Sequence, residues 1–292
     1  VYGGTLGGPL RRDQIFFFVS YQGTRESNGA SLINSTSSNV LIAPGLTDDR
    51  SEATLLATFM PTRPNGTPAT AIDPAALALL NAHLPDGRFA IPTPSPGGRY
   101  TGSEVSEFQE DQFNTNLDWR LTRSNSLAVK FFFANTNQNL VLPSFRGQGP
   151  NVPGFGASGL FNNRVVALQD IHIFSPRLLN EIRIGYYFNR NNTSPEQPLN
   201  DSDLGIARSN AAEFPGLPLI RIAPNAGGVI VGTTPSIRGQ AAPSTTTAAD
   251  ALTLLRGRHT LRAGAEVRYN LINFTINHFV YGQIDFQDFN SF

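Results

Sequence analysis

The 292-residue chain contains no cysteine. That excludes a disulfide framework, a cysteine nucleophile and any thiolate-held metal or iron–sulfur centre. Charge is scarce: Asp, Glu, Lys and Arg make up 15% of the residues, against about 25% in ordinary soluble proteins. The charges also cancel, 22 basic against 22 acidic, and no Lys/Arg run stands out. Nucleic acid is therefore not an expected partner. No stretch of about 18 apolar residues is present, so there is no transmembrane helix. No charged segment followed by a short apolar one, the pattern of a signal peptide, is present in these residues. Lacking such a helix, this chain can cross a bilayer only as part of a closed β-barrel, because lipid leaves no backbone polar group a partner outside the protein. The start at Val1 and the end at Phe292, inside a strand-like run, suggest a piece of a longer protein.

Phenylalanine is what the chain has in excess: 21 Phe beside one Met and one Trp. Aromatic enrichment with low charge suits β-structure facing an apolar phase. A Phe-rich soluble sandwich fits these numbers equally well, so the discrimination comes from pattern.

Period-2 alternation is the clearest pattern, and it places alternate side chains on opposite faces of a strand. Over 259–271, Leu261, Ala263, Ala265, Val267, Tyr269 and Leu271 share one face. Arg262, Gly264, Glu266, Arg268 and Asn270 share the other. Residues 112–121 and 181–190 repeat the pattern. Residues 14–23, 126–136 and 164–174 are strand-like but less clean, 244–256 is a weaker strand of small residues, and 1–10 is a Gly-rich one. The clean runs have the 9–11 residues that span a membrane, longer than the usual 5–6 of soluble strands.

Connection lengths alternate strictly. Tight links at 9–13, 122–125, 175–179 and Gly257 alternate with long ones at roughly 28–110, 137–163, 191–243 and 273–282. Outer-membrane barrels have this asymmetry, with short periplasmic turns and long extracellular loops. The expected fold class is therefore all-β: an antiparallel transmembrane β-barrel in part, about eight strands and some of a ninth. Residues 1–292 form one partial barrel, with 28–110 inserted as a large extracellular loop. That loop carries two short helices, one over 51–59 capped by Asp48 and Asp49, the other over 75–83 started by Asp73 and Pro74.

Chemistry-bearing residues are few and scattered. His83, His172, His259 and His278 have no metal-ligand spacing. Glu110 and Asp111 are adjacent carboxylates at a loop-to-strand junction without a matched second site, and read with Glu104 and Glu107 as a solvated rim. Gly3-Gly4 and Gly7-Gly8 are followed by no Lys-Ser/Thr and no helix, which favours close strand packing over a phosphate loop. Ser158 lacks the G-x-S-x-G frame of a nucleophile elbow. Phe16-Phe17-Phe18 and Phe131-Phe132-Phe133 break the alternation and suit an aromatic girdle, with one ring of each turned inward. No catalytic set, cofactor site or metal site is expected.

Three segments carry a family resemblance. Gly3-Gly4-Thr5-Leu6-Gly7-Gly8-Pro9-Leu10, continuing through Asp13 and Phe16-Phe17-Phe18 to Tyr21 and Gly23, resembles a stretch of Oar-like TonB-dependent receptors. Arg256-Gly257-Arg258-His259-Thr260-Leu261-Arg262-Ala263-Gly264 is similar to a turn and strand of the same family. Asn180-Glu181-Ile182-Arg183-Ile184-Gly185-Tyr186 looks like a strand common in such barrels. The resemblance implies location in the outer membrane of a Gram-negative bacterium, contact with its lipid, and energised transport of an unknown small ligand or peptide. It also implies a TonB complex engaged through a plug domain that this chain does not contain. Lumen-facing candidates for ligand contact are Arg164, Arg183, Arg262, Glu266 and Arg268. A non-transporting surface β-protein or adhesin is the alternative, and an enzyme barrel is disfavoured by the missing catalytic set.

Overall fold

The computed structural model describes residues 1–29, 36–63, 65–143, 148–234, 239–276 and 279–292. Eight long strands form one antiparallel sheet: β1 (Tyr2–Arg11), β2 (Ile15–Asn28), β3 (Ser106–Arg120), β4 (Asn125–Leu140), β5 (Ala157–Ser175), β6 (Leu178–Pro195), β7 (Ser244–Arg256) and β8 (His259–Leu271). Each pairs with its sequence neighbour, from β1 through β8. The tight turns therefore lie at one end and the long connections at the other. Among the described residues β1 and β8 do not pair with each other, so the wall is open. Gly239–Ala241 continues the sheet beyond β6 and pairs in turn with Phe274–Ile276.

The register sorts side chains into two faces. One face carries Val19, Leu117, Val129, Val166, Leu168, Ile184 and Val267 in cross-strand rows. Val19, Leu117, Val129 and Leu168 are half-buried among their neighbours, and the rest are exposed, Ile184 at 48% and Val267 at 68%. A soluble protein seldom leaves so large an apolar face bare, whereas lipid covers it at no cost. The other face carries Asn114, Asn116, Lys130, Gln169, Glu181, Arg183, Arg262, Glu266 and Arg268.

β7 and β8 match the expected bounds, but five of the other strands run several residues farther into the long connections. β4 continues to Leu140 and β5 begins at Ala157. Past the apolar band both faces turn polar, as in Asn135, Asn137, Gln138 and Asn139. Alternation disappears there while backbone pairing continues.

The buried core lies outside this sheet, in the long connections. Val40, Ile42, Leu55, Leu79, Ile91, Val152, Phe155, Leu217, Ile222 and Val231 belong to one cluster. They come from the first three connections, and Phe286, Phe289 and Phe292 pack against them. Burial of each such side chain contributes about 1.5–3 kcal/mol, enough collectively to hold the connections as one folded cap. The two helices sit in it. α1 (Glu52–Phe59) is capped by Ser51, with Asp49 accepting from the Ser51 N–H at 3.1 Å. α2 (Pro74–Asn81) is capped by Asp73 and ends two residues short of the expected His83. The expected part of a ninth barrel strand has another role: Gln283–Phe286 pairs parallel with Leu219–Ile222 inside the cap.

Two arginines, Arg50 buried and Arg208 partly buried, tie the cap together. Arg50 donates to the carbonyls of Leu80 (2.6 Å) and Ile91 (2.8 Å) and to Thr93 Oγ1 (3.0 Å). Burial pushes its ionisation down to about 10, opposed by nearby Asp48. Arg208 pairs with Asp201 at 2.6 Å and donates to the carbonyls of Phe214 and Val280, linking the third connection to the last.

Candidate functional site

The polar face of β4 to β8 holds a shallow groove of about 410 Å³. Its floor is small: Ala128, Ala167, Gly185, Thr247 and Ala249. The register explains this, because Lys130, Ala167, Gly185 and Thr247 form one cross-strand row, and Ala128, Gln169, Arg183, Ala249 and Glu266 the next. Small residues in the middle strands let the long side chains on either side converge over them.

Glu181 is the hub of those side chains. It accepts from Gln169 Nε2 at 2.7 Å and from Arg262 Nη2 at 2.9 Å, and lies 3.7 Å from Arg183 Nε. Arg262 reaches Glu181 across the whole width of β7, over Ala251, whose side chain is too short to block it. Glu266 accepts from Arg268 at 3.2 Å. The groove thus offers two balanced carboxylates with a surplus of cations, Lys130, Arg183, Arg262 and Arg268, in a row-and-column array. Such an array offers donors for charge-assisted hydrogen bonds to polar or anionic groups.

Of the lumen-side candidates, Arg183, Arg262, Glu266 and Arg268 share the polar face of the sheet. Arg164 does not. The register sets it opposite Phe133 on β4 and Phe188 on β6, in the apolar face. Its strand is one residue out of phase with the polar pattern used to choose it: in β5 the even-numbered positions point with Ile184 and Val129. Glu181 joins the other four on the polar face, a placement its spacing of two from Arg183 already signals.

The remaining chemistry-bearing residues stay apart. The His83 ring stacks on Phe89 at 4.3 Å between centroids, and that of His172 on Phe174 at 4.5 Å. His259 begins β8 beside a turn, and His278 lies outside the described residues. Glu110 is bonded by Thr136 on the polar face, while Asp111, one residue on, faces the other way and pairs with Arg25 at 2.9 Å. Adjacent strand residues cannot act as a carboxylate pair across one substrate. Gly3-Gly4 and Gly7-Gly8 lie within β1, with no helix after them. Among the described residues no three His, Asp or Glu side chains gather as a metal site.

The family model described as "Outer membrane beta barrel domain" matches residues 1–291. No curated protein sequence matches the chain. Among solved structures, the siderophore receptor PiuA from Acinetobacter baumannii is similar, with a TM-score of 0.34 and 7% identity. The alignment covers 93% of this chain and 38% of the receptor, so the chain spans well under half of that protein's length.

Proposed function

The chain belongs to the outer membrane β-barrel domain family, and from that premise we propose that it supplies wall and ligand-contacting loops to a TonB-dependent transporter. Its place is the outer membrane, with the apolar face toward lipid. In this reading the polar face lines the lumen, and the cap built from the long connections stands on the extracellular side. Ligand first meets the cap, then the cationic groove around Glu181. The observation that carries the proposal is that groove: a small-residue floor ringed by Lys130, Gln169, Glu181, Arg183 and Glu266 on the face away from lipid. A passive structural wall has no need of converging charges.

Transport also needs a plug and a contact with the TonB complex, and both are assigned to sequence outside these 292 residues. The Oar-like resemblance of β1 and β2 supports the same assignment. We assign no catalytic role to the chain. The competing reading is a surface adhesin, favoured by the folded cap alone.

Uptake by cells carrying the complete gene separates the two. Labelled ferric siderophores, cobalamin, oligosaccharides and peptides are offered to wild-type and gene-deleted cells, with and without a protonophore. The transporter reading expects accumulation of one class that needs both the gene and the energised membrane. Surface binding that survives the protonophore, with no accumulation of any class, would replace it with the adhesin reading.

A further inference from the structure

Arg164 and Arg190 stand on the lipid-facing side of the wall with no acidic partner among the described residues. The ladder puts Arg164 opposite Phe188 and Arg190 opposite Asn162 on adjacent strands. They are therefore diagonal neighbours, about 7–8 Å apart at the backbone, within common reach of two long side chains. The Arg164 guanidinium lies 5.7 Å from the Phe133 ring centroid and 6.0 Å from that of Phe188. Both arginines are exposed, and neither has an ion pair among the described residues. Asp111 shares the row of Arg190, but three strand spacings separate them, about 14 Å. It is already engaged by Arg25 and by the Tyr21 hydroxyl at 2.6 Å.

Position sharpens the question of what they are for. On the turn side of Arg164, the same face continues as Val166, Leu168, Ile184 and Tyr186. On the loop side it turns to Asn135, Asn162 and Arg190. The pair thus sits where the apolar band ends, flanked by aromatic rings of the kind that mark a membrane interface. An unpaired guanidinium beside hydrocarbon is costly unless it meets a counter-charge or water. Two such groups with an apolar strip beneath them match one ligand shape: an anionic head joined to a hydrocarbon tail.

We propose that Arg164 and Arg190, with Asn162 adjacent to both, bind the phosphate of an anionic membrane lipid. The guanidinium forks take the phosphate oxygens in charge-assisted hydrogen bonds. The acyl chains lie along Val166, Leu168, Ile184 and Tyr186. The long-loop end of the wall is thereby fixed at one leaflet's headgroup layer. The proposal requires only the membrane placement and is independent of transport.

The test uses the full-length protein in detergent micelles, with lipid binding read by native mass spectrometry. Phosphatidylglycerol should bind well above phosphatidylcholine, whose choline cation masks the phosphate. The double variant Arg164→Gln/Arg190→Gln should lose about tenfold or more of that affinity, and Arg258→Gln, at the turn end, should keep it. The Arg164→Lys/Arg190→Lys variant, which keeps charge but loses the fork, should fall between. Equal binding of the two lipids by the wild type would overturn the proposal without any variant having to fold. Equal affinity in the Gln double variant would do the same. Displacement by millimolar inorganic phosphate would replace the lipid with a free-anion site.

Discussion

The Arg50 guanidinium lies 3.7 Å from the centroid of the Phe89 ring. Phe89 precedes Ile91, whose carbonyl accepts from the same guanidinium at 2.8 Å. Stacking and hydrogen bonding therefore close one loop of chain onto another, from the start of α1 to the segment after α2. The residue is 2% exposed, so water cannot replace its bonds. Replacing it with alanine leaves the Leu80 and Ile91 carbonyls without their donor and opens a cavity beside Phe89. The expected cost to the cap is on the order of 3 kcal/mol. Limited proteolysis should show faster cleavage in 60–100 for Arg50→Ala, while β3 to β8 stay resistant. Unchanged cleavage would mean that the cap does not depend on this clasp.

Acid should act on the cap in two opposite steps. Hydrogen bonds from Arg88 hold Asp86 below its ordinary range, and Arg221 does the same for Asp285. Their folded values lie below the unfolded one of about 3.9. Their contribution is thus complete above about pH 4 and is lost as pH falls through the folded values. Glu196 has the reverse sign: burial, then the charge of Glu104, raises it. Its ionised form is the strained one, so protonation on descent from neutral pH firms the structure. Hydrogen exchange, corrected for its intrinsic pH dependence, should slow around Glu196 in mild acid. It should then quicken at 283–286 below about pH 4. A monotonic loosening from neutral pH downward would refute the sign given to Glu196.

Glycines in β1 and β8 are predicted to differ by position. A Cβ on Gly3 would run into the Tyr21 carbonyl oxygen of β2, and one on Gly264 into that of Asp250. Around Gly4 and Gly8 a Cβ meets nothing. Gly3→Ala and Gly264→Ala should each cost about 1–3 kcal/mol through forced strand separation. Gly4→Ala and Gly8→Ala should be near neutral. Folded yield, scored by heat-modifiable gel mobility of the full-length protein, checks this. Equal yields for Gly3→Ala and Gly4→Ala would remove the close approach as the reason for glycine.

What could be seen in the sequence depended on whether the two faces of a strand meet different phases. β8 meets lipid on one side and polar groups on the other, so Leu261 to Leu271 alternate and its bounds are legible. Asn135 to Asn139 in β4 are polar on both faces, so alternation is absent and only the backbone pairing shows that they are strand. The Gln283–Phe286 run has strand composition, but nothing local says that its partner is Leu219–Ile222 rather than a barrel neighbour. The cap core is invisible for the same reason, because Leu55, Val152 and Leu217 are brought together by pairings far apart in sequence. Charge alone does not mark the polar face, as Arg164 shows. Its own strand, through Val166 and Leu168, carried the phase that contradicts it. The groove was half legible: Arg183, Arg262, Glu266 and Arg268 by alternation, but not the reach of Arg262 over Ala251 to Glu181.

The assignment of faces itself can be inverted by experiment. Val267 lies near the middle of the apolar run on β8 and Glu266 lies beside it on the opposite face. If the apolar face meets lipid, Val267→Arg places a charge at mid-membrane and should cost about 2–4 kcal/mol. Its folded yield in the outer membrane should drop sharply. Glu266→Gln loses only an exposed ion pair with Arg268 and should stay within about 0.5 kcal/mol of wild type. A second arginine scan position, Leu261→Arg, lies toward the turn end of the same run and should cost less, since the penalty falls toward the interface. That gradient is the discriminating feature. A buried protein core would penalise both substitutions alike, and a water-filled lumen would penalise neither. Only a hydrocarbon slab makes the cost of one and the same arginine depend on its height along the strand.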